Sequence, residues 1–349
     1  MLLLIQRHNK GGNDMANKWL DKGLKAVQKG VKDFGESVAP QIGKGVMDAA
    51  GNAGEIVAKG TKAVTSVGKN ATDAVMNQLD VNHDGTVDMA DIITLGLKTP
   101  GVRVDREEFL RKEFKIHYSE ETVAQAIEKT PAIAGIPADD IDKIADDVIQ
   151  YERYFVSGIS AALGTPGGAA MAATIPADII QYYGYMLRTA QKLMYLYGFP
   201  QIVTDEEETQ IDSATMNLLI IAMGVMFGVA GANNAIKAMA KALGTGVQKQ
   251  LMKQALTKGT VYPIVKGVAK WFGVRMTKEI FTGFFKKAIP VVGGVVGGGI
   301  TYASFKPCCD RLKDNLKDTK LSNLNHEENE EETEIYDAIV TEVDETDEE

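Results

Sequence analysis

The stretch TIPADIIQYYGYMLRTAQKLMYLYGF, residues 174–199, is long and apolar enough to be a buried or a membrane-crossing helix, yet it carries Asp178, Gln181, Arg188 and Lys192. On a wheel of about 100° per residue, Asp178, Gln181, Tyr185, Arg188, Gln191, Lys192 and Tyr195 share one sector, while Ile179, Tyr182, Tyr183, Met186, Ala190, Leu193 and Tyr197 fill most of the rest. Charges in lipid-facing helices gather at the ends, where they reach the interface; here they run along the middle. The pattern is that of a core helix with a polar stripe of Asp178, Gln181, Tyr185, Arg188 and Lys192. The stripe faces either water, the commoner outcome, or an internal polar cavity. In the second case tyrosine hydroxyls beside Arg188 and Lys192 could receive an anionic head group.

Three stretches lack any charge: Phe155–Ala177, Ser213–Ile236 and Ala288–Phe305. By length alone two or three of them could span a bilayer. The first is interrupted by Pro166-Gly167-Gly168, and the third holds Pro290 and the weakly hydrophobic run VVGGVVGGG. The expectation is a soluble helical core, with a resident membrane protein and conditional insertion of a buried hairpin as alternatives. Composition points the same way: 35 Gly, abundant Ala and Met and only 7% aromatics favour close-packed helices, and the alternating β-branched runs of strands are scarce. The fold class expected is all-α, a multi-helix bundle with an N-terminal amphipathic helical arm and one EF-hand-like helix-loop-helix. Bundle helices are expected at about 105–117, 120–129 (with Ser119 as N-cap), 139–157, 174–199, 211–231, 235–243, 246–256, 262–272, 278–287 and 291–318.

The ends of the chain differ in charge. From Trp19 to Val75 apolar residues recur at steps of three and four, and Lys18, Lys22, Lys25, Lys29 and Lys32 lie on the opposite face. Such a segment, 15–75, lies on a lipid surface, packs on the rest of the chain, or stays a disordered arm; Pro40 breaks or kinks it. At the other end 13 acidic residues and no Lys or Arg fall in 327–349, more than the whole formal net charge of −9. The body is therefore mildly basic and 319–349 reads as an acidic disordered tail. Residues 1–14 read as a mis-called start extension. Codons for Lys10–Met15 could spell a bacterial ribosome-binding sequence before a start codon, which makes Met15 the expected start and leaves no export signal.

The most specific chemical motif is DVNHDGTVDMAD, Asp80 to Asp91, in a unit of residues 76–100. Counted as a twelve-residue calcium loop, it places Asp80, Asn82 and Asp84 at positions 1, 3 and 5, Gly85 at 6 and the Thr86 carbonyl at 7. Val87 then stands at 8, Asp88 at 9 and Asp91 at 12. A hard cation takes oxygen ligands at alternating positions, a glycine makes the sharp turn, and an apolar residue at 8 anchors the loop. Asp91 departs from the usual Glu; one methylene shorter, it weakens bidentate reach and so lowers affinity or admits Mg2+. The bland alternative is an Asp/Asn-rich turn that binds nothing. Helices 71–79 and 90–97 would flank the loop.

VDREEFLRKEF (104–114), GTPGGAAMAATIPADIIQYYGYMLRTAQKLMYLYGF (164–199) and KKAIPVVGGVVGGGITYASF (286–305) together resemble the bacterial EcsC protein family, over roughly residues 101–318. The family is named for a gene neighbouring an ABC transporter implicated in secretion. The resemblance implies a helical fold and a link to the cell envelope, and supplies no catalytic residue to carry over. The arm, the loop and the tail lie outside it.

Little in the chain suggests an enzyme. His8, His83, His117 and His326 are the only histidines, thin material for a triad or a zinc site, and no phosphate-binding G-x-x-x-x-G-K-[ST] occurs. Gly164–Gly168 is more simply a helix-to-helix turn than an anion cradle. Cys308 and Cys309 are adjacent and cannot close a disulfide framework, which fits a reducing compartment. The basic residues are spread along the arm with few aromatics among them, so a nucleic-acid partner is not expected, nor is a defined small-molecule substrate. The expectation is a cytoplasmic, non-enzymatic protein, peripheral at the inner face of the membrane, bound reversibly to an anionic membrane surface or an envelope protein complex. Calcium acts as clasp or weak switch. The alternatives are a structural scaffold whose ion only stabilises the fold, and a membrane-inserting helical protein.

Overall fold

The computed structural model describes residues 79–85, 87–163, 169–203, 211–246, 255–257, 259, 261–275 and 293–341. The leader 1–14, the arm 15–75, the entering helix 71–79 apart from Leu79, Thr86, the turn 164–168 and the helix expected at 278–287 lie outside them. So does most of the helix expected at 246–256. The described residues are all-helical, with ten helices: α1 Met89–Lys98, α2 Arg106–Phe114, α3 Glu120–Glu128, α4 Ala138–Leu163, α5 Ala169–Leu196, α6 Ser213–Phe227, α7 Ala232–Gly244, α8 Tyr262–Arg275, α9 Gly293–Lys317 and α10 Glu330–Thr341.

Local sequence sets several of the starts. Asp105 caps α2 by accepting from the Glu108 amide at 2.7 Å, and Ser119 caps α3 through the Thr122 amide at 3.2 Å, as expected. Asp212 caps α6 through Ala214 and Thr215. Each supplies an oxygen to amides that have no partner inside the helix. Gly228 ends α6 in the left-handed region, φ 69°, where only glycine sits without strain. Helix α4 runs to Leu163, beyond the expected 157, because Gly158 alone does not stop it and no proline follows before 163.

Helix α4 packs along α9 and α5, α9 also meets α5 and α6, and α6 is enclosed by α1, α5, α7, α8 and α9. From Leu219 to Met226 every residue of α6 is buried, so this half of the helix shows no preferred polar side, as an enclosed segment does. The charge-free stretch at 213–236 is thus a core helix and the start of its neighbour. Among the described residues no helix is long and apolar enough to cross a membrane.

Within the unit at 76–100, the described helix α1 is not set apart from the bundle. Helix α1 buries Ile92, Ile93, Gly96 and Leu97 and crosses α5 where Gly96 meets Gly184; a Cβ on Gly96 would stand 3.2 Å from the Gly184 Cα. Arg106, 8% exposed, fastens the α2–α3 pair to the end of α5. Its guanidinium donates to the carbonyls of Phe199 (2.9 Å), Ile127 (2.5 Å), Ala126 and Lys129 (both 3.3 Å). These carbonyls lie at or just beyond helix C-termini, where the backbone lacks donors and a cation is favoured.

The disordered tail expected over 319–349 does not hold for 330–341, which form α10 on the outer side of α7. Ile335 and Ile339 are buried at i,i+4 and Glu332 is buried between Lys237 and the His326 ring. Net charge concealed this amphipathic spacing.

At Gly224 an added Cβ would lie 2.8 Å from Val268 Cγ2 and 3.1 Å from Ala232 Cβ, so this glycine fixes how closely α6, α7 and α8 approach. Gly224→Ala is expected to cost about 1–3 kcal/mol by overpacking, read by urea denaturation, and Val268→Ala in the same chain should recover part of it. Wild-type stability in the single variant would refute the assignment.

Candidate functional site

Two groups of polar residues meet the chemistry anticipated above: the acidic loop at the entry to α1, and the stripe on α5.

In the loop, Asp80 accepts from the Asp84 amide at 3.2 Å and the Gly85 amide at 2.8 Å, and Asn82 Oδ1 accepts from Asp84 at 2.9 Å. The chain turns with Gly85 at φ 86° and His83 at φ 58°, the second a residue type tolerated in the left-handed region. Leu79 and Val87 are buried on either side and anchor the turn to the core, while Asn82 and Asp84 are exposed. Asp88 is the N-cap of α1 and Asp91 completes a capping box: Asp91 Oδ2 accepts from the Asp88 amide at 3.0 Å, and Oδ1 from Val81 at 3.0 Å and Asn82 at 3.4 Å. Burial pushes the Asp91 carboxyl up, against the pull of those amides.

The donor set is all oxygen and hard, which suits calcium or magnesium, and each carboxylate oxygen that holds one amide keeps a second lone pair. Position 12, however, already closes the loop and caps the helix. Among the described residues no three His, Cys, Asp or Glu side chains converge as a metal-holding group. The residues fit such an ion in kind. Asp80, Asn82, Asp84, Asp88 and Asp91 would hold it, with the Thr86 carbonyl outside the described residues, and the ion would supply a charge that ties the loop's oxygens together.

The stripe turns inward, not to water. Gln181 is 2% exposed, Tyr185 and Lys192 are also buried, and Arg188 sits at the rim. Asp178 belongs to the same helix, but its side chain lies outside the description. The stripe's partner is a residue the helical wheel did not anticipate, Glu152 on α4. It is fully buried and accepts at Oε1 from Lys192 Nζ at 2.6 Å and Arg188 Nε at 2.9 Å. Lys192 Nζ also stands 5.4 Å from the Phe109 ring centre and 6.0 Å from that of Tyr151, over faces that attract a cation. Burial alone would push the Glu152 carboxyl up, but Lys192 and Arg188 outweigh it and hold it below the ordinary value. Among the described residues, Glu152 Oε2, Ser157 Oγ and Gln181 Oε1 are buried without a hydrogen-bond partner.

Loop and stripe are joined through residues 99–105. This segment turns at Gly101, φ 80°, and buries Thr99, Val102 and Val104, so its peptide groups need partners, and α5 with the chain just beyond it supplies them. Arg188 donates to the Gly101 carbonyl. Gln191 donates to Val102 at 3.1 Å and accepts from Val104 at 3.3 Å, and Gln201 donates to Val104 at 3.1 Å. One arginine thus touches both the segment leaving α1 and the buried carboxylate.

Glu152 had a signal in the sequence. It stands four residues after Val148 and four before Val156, both buried, so an acid occupies an apolar register. Arg106 shares its face with Phe109 and Leu110 in the same way. The adjacent cysteines are both free, and burial pushes the thiols of Cys308 and Cys309 up, away from the thiolate that reacts.

Comparison with protein-family models, curated proteins and solved structures finds no match for this chain.

Replacing Glu152 by Gln leaves two buried cations facing a neutral amide, and a loss of about 3–5 kcal/mol is expected. The wild-type carboxyl is held below its unfolded value of about 4.5, so ionised Glu152 stabilises the fold above that pH. The contribution is lost as pH falls through the lower, folded value. Stability measured from pH 7 to 3 should show this acid-side loss in the wild type and less of it in Glu152→Gln; identical pH profiles would refute it.

Proposed function

We propose that this chain is a non-enzymatic, EcsC-like helical protein that binds a divalent cation, calcium first, at Asp80, Asn82, Asp84, Thr86, Asp88 and Asp91, and associates reversibly with an anionic membrane surface or an envelope complex from the cytoplasmic side. The observation that carries the ion reading is the loop itself. Asp80 gathers the amides of Asp84 and Gly85 while Val87 pins the turn to the core, so the oxygen donors sit on a shaped and anchored loop. The surface reading rests on the lysine face of residues 15–75, which suits anionic lipid. The non-enzymatic reading is supported by the buried charges of α4 and α5, which are spent on one another, and by the shielded cysteines.

In this reading the ion fixes the entry to α1 and hence the angle at which the arm leaves the bundle. Calcium at about 100 times its dissociation constant should stabilise the full chain by about 2.7 kcal/mol, read from the urea midpoint with calcium against EDTA. Asp80→Ala and Asp84→Ala together should remove the difference; equal midpoints in the wild type would reject the ion site. Flotation with phosphatidylserine vesicles should carry the full chain upward, and deletion of residues 15–75 should abolish it. A chain that stays at the bottom of the gradient with and without calcium refutes the membrane reading.

A further inference from the structure

The seam between α7 and residues 318–339 combines polar and charged pairs with a small apolar contact. On α7, Asn234, Lys237 and Lys241 form one stripe. Asn234 donates to Glu331 at 2.5 Å, Lys237 lies 3.3 Å from Glu332 and 2.5 Å from Asp318, and Lys241 reaches Glu328 at 2.5 Å. Lys241 also sits 3.7 Å above the Tyr336 ring. His326 closes the seam, with Nδ1 2.9 Å from Asp318 and Nε2 2.9 Å from Glu332. The apolar share of α10 is two isoleucines, Ile335 and Ile339, with half-buried Tyr336 beside them.

A helix integral to a fold is held chiefly by apolar burial. Ion pairs taken out of water roughly offset their own desolvation, so a seam of this kind is selective without being strong. The connection to the bundle runs through Asn323, Leu324 and Asn325, all exposed. We propose that the outer face of α7 is a docking surface for an acidic amphipathic helix of a partner protein, with isoleucines or similar residues at i,i+4 and carboxylates one turn earlier, and that α10 occupies it in cis. The charge complementarity of the present occupant defines the partner: Lys237 and Lys241 read its carboxylates, and Asn234 orients one of them. The surface is independent of the cation loop and of the lysine-rich arm.

The probe is a fluorescent peptide of residues 326–341. In the full chain carrying Ile335→Asp and Ile339→Asp, the resident helix is displaced and the peptide should bind, at least about tenfold more tightly than to the wild type, whose site is filled. Adding Lys237→Glu and Lys241→Glu should weaken that binding by more than about tenfold. No binding to a chain that keeps its helical circular dichroism would overturn the proposal, as would capture by phosphatidylserine vesicles without peptide binding, which would assign the face to lipid. Should the isoleucine variant unfold, a protease site replacing Asn323–Asn325 gives the second measurement. After cleavage of the folded chain, a released tail with the remainder still folded supports a docking surface. Unfolding on cleavage, or a tail that the free peptide cannot displace, overturns it.

Discussion

A carboxylate with no exposure, set between a lysine and an arginine, constrains how the centre of this bundle can be assembled. Glu152 cannot be moved along α4 by one residue without leaving Lys192 and Arg188 uncompensated among Phe109, Tyr151 and the surrounding aliphatics. Apolar side chains tolerate such shifts because any neighbour of similar volume will do. A buried charge does not, since its partner must come within hydrogen-bond reach. Burying the three groups contributes little net free energy compared with a well-packed apolar trio. What it contributes is register between α4 and α5, and α5 in turn holds residues 99–105, which carry the exit from α1.

The all-α class, several helix starts and the inward helix at 174–199 were legible because they depend on local chemistry: periodicity, caps and the absence of strand patterns. The direction of the stripe was not. A wheel places Arg188 and Lys192 on one side, but whether that side meets water depends on Glu152, which lies about ten turns away along the sequence. The acid in the apolar register of α4 was the available clue, and it becomes readable only when the two helices are considered together. Tail order failed for a related reason. Counting 13 acidic residues in 327–349 measures repulsion within the segment and leaves out Lys237, Lys241 and His326, which lie opposite it in the fold.

The two charge clusters differ in kind although both join helices. At Glu152 the carboxylate and Lys192 are enclosed by large apolar side chains and Arg188 closes the contact at the rim, so opening it exposes core. At α10 the carboxylates are shared between α7, the end of α9 and His326, and several remain partly open, Asp318 at 50% side-chain exposure. Opening this second seam returns charges to water and uncovers two isoleucines. The cost of separation therefore falls at the surface, as it does for elements that open locally at free energies well below global unfolding.

Position 91 joins the loop to this frame. Asp91 caps α1, closes the turn through the amides of Val81, Asn82 and Asp88, and would be the twelfth-position ligand in the proposed cation site. A longer Glu could reach an ion from farther along the helix; the shorter Asp fits close beneath the turn, where the capping amides are. The same shortening that weakens bidentate reach thus suits the carboxylate to organising the loop from inside. A cation held there would share Asp91 with the amides of the helix start, so ion binding and capping of α1 would act on one carboxylate. The consequence would be carried by α1 to Gly101 and Arg188, and through that arginine to the buried glutamate.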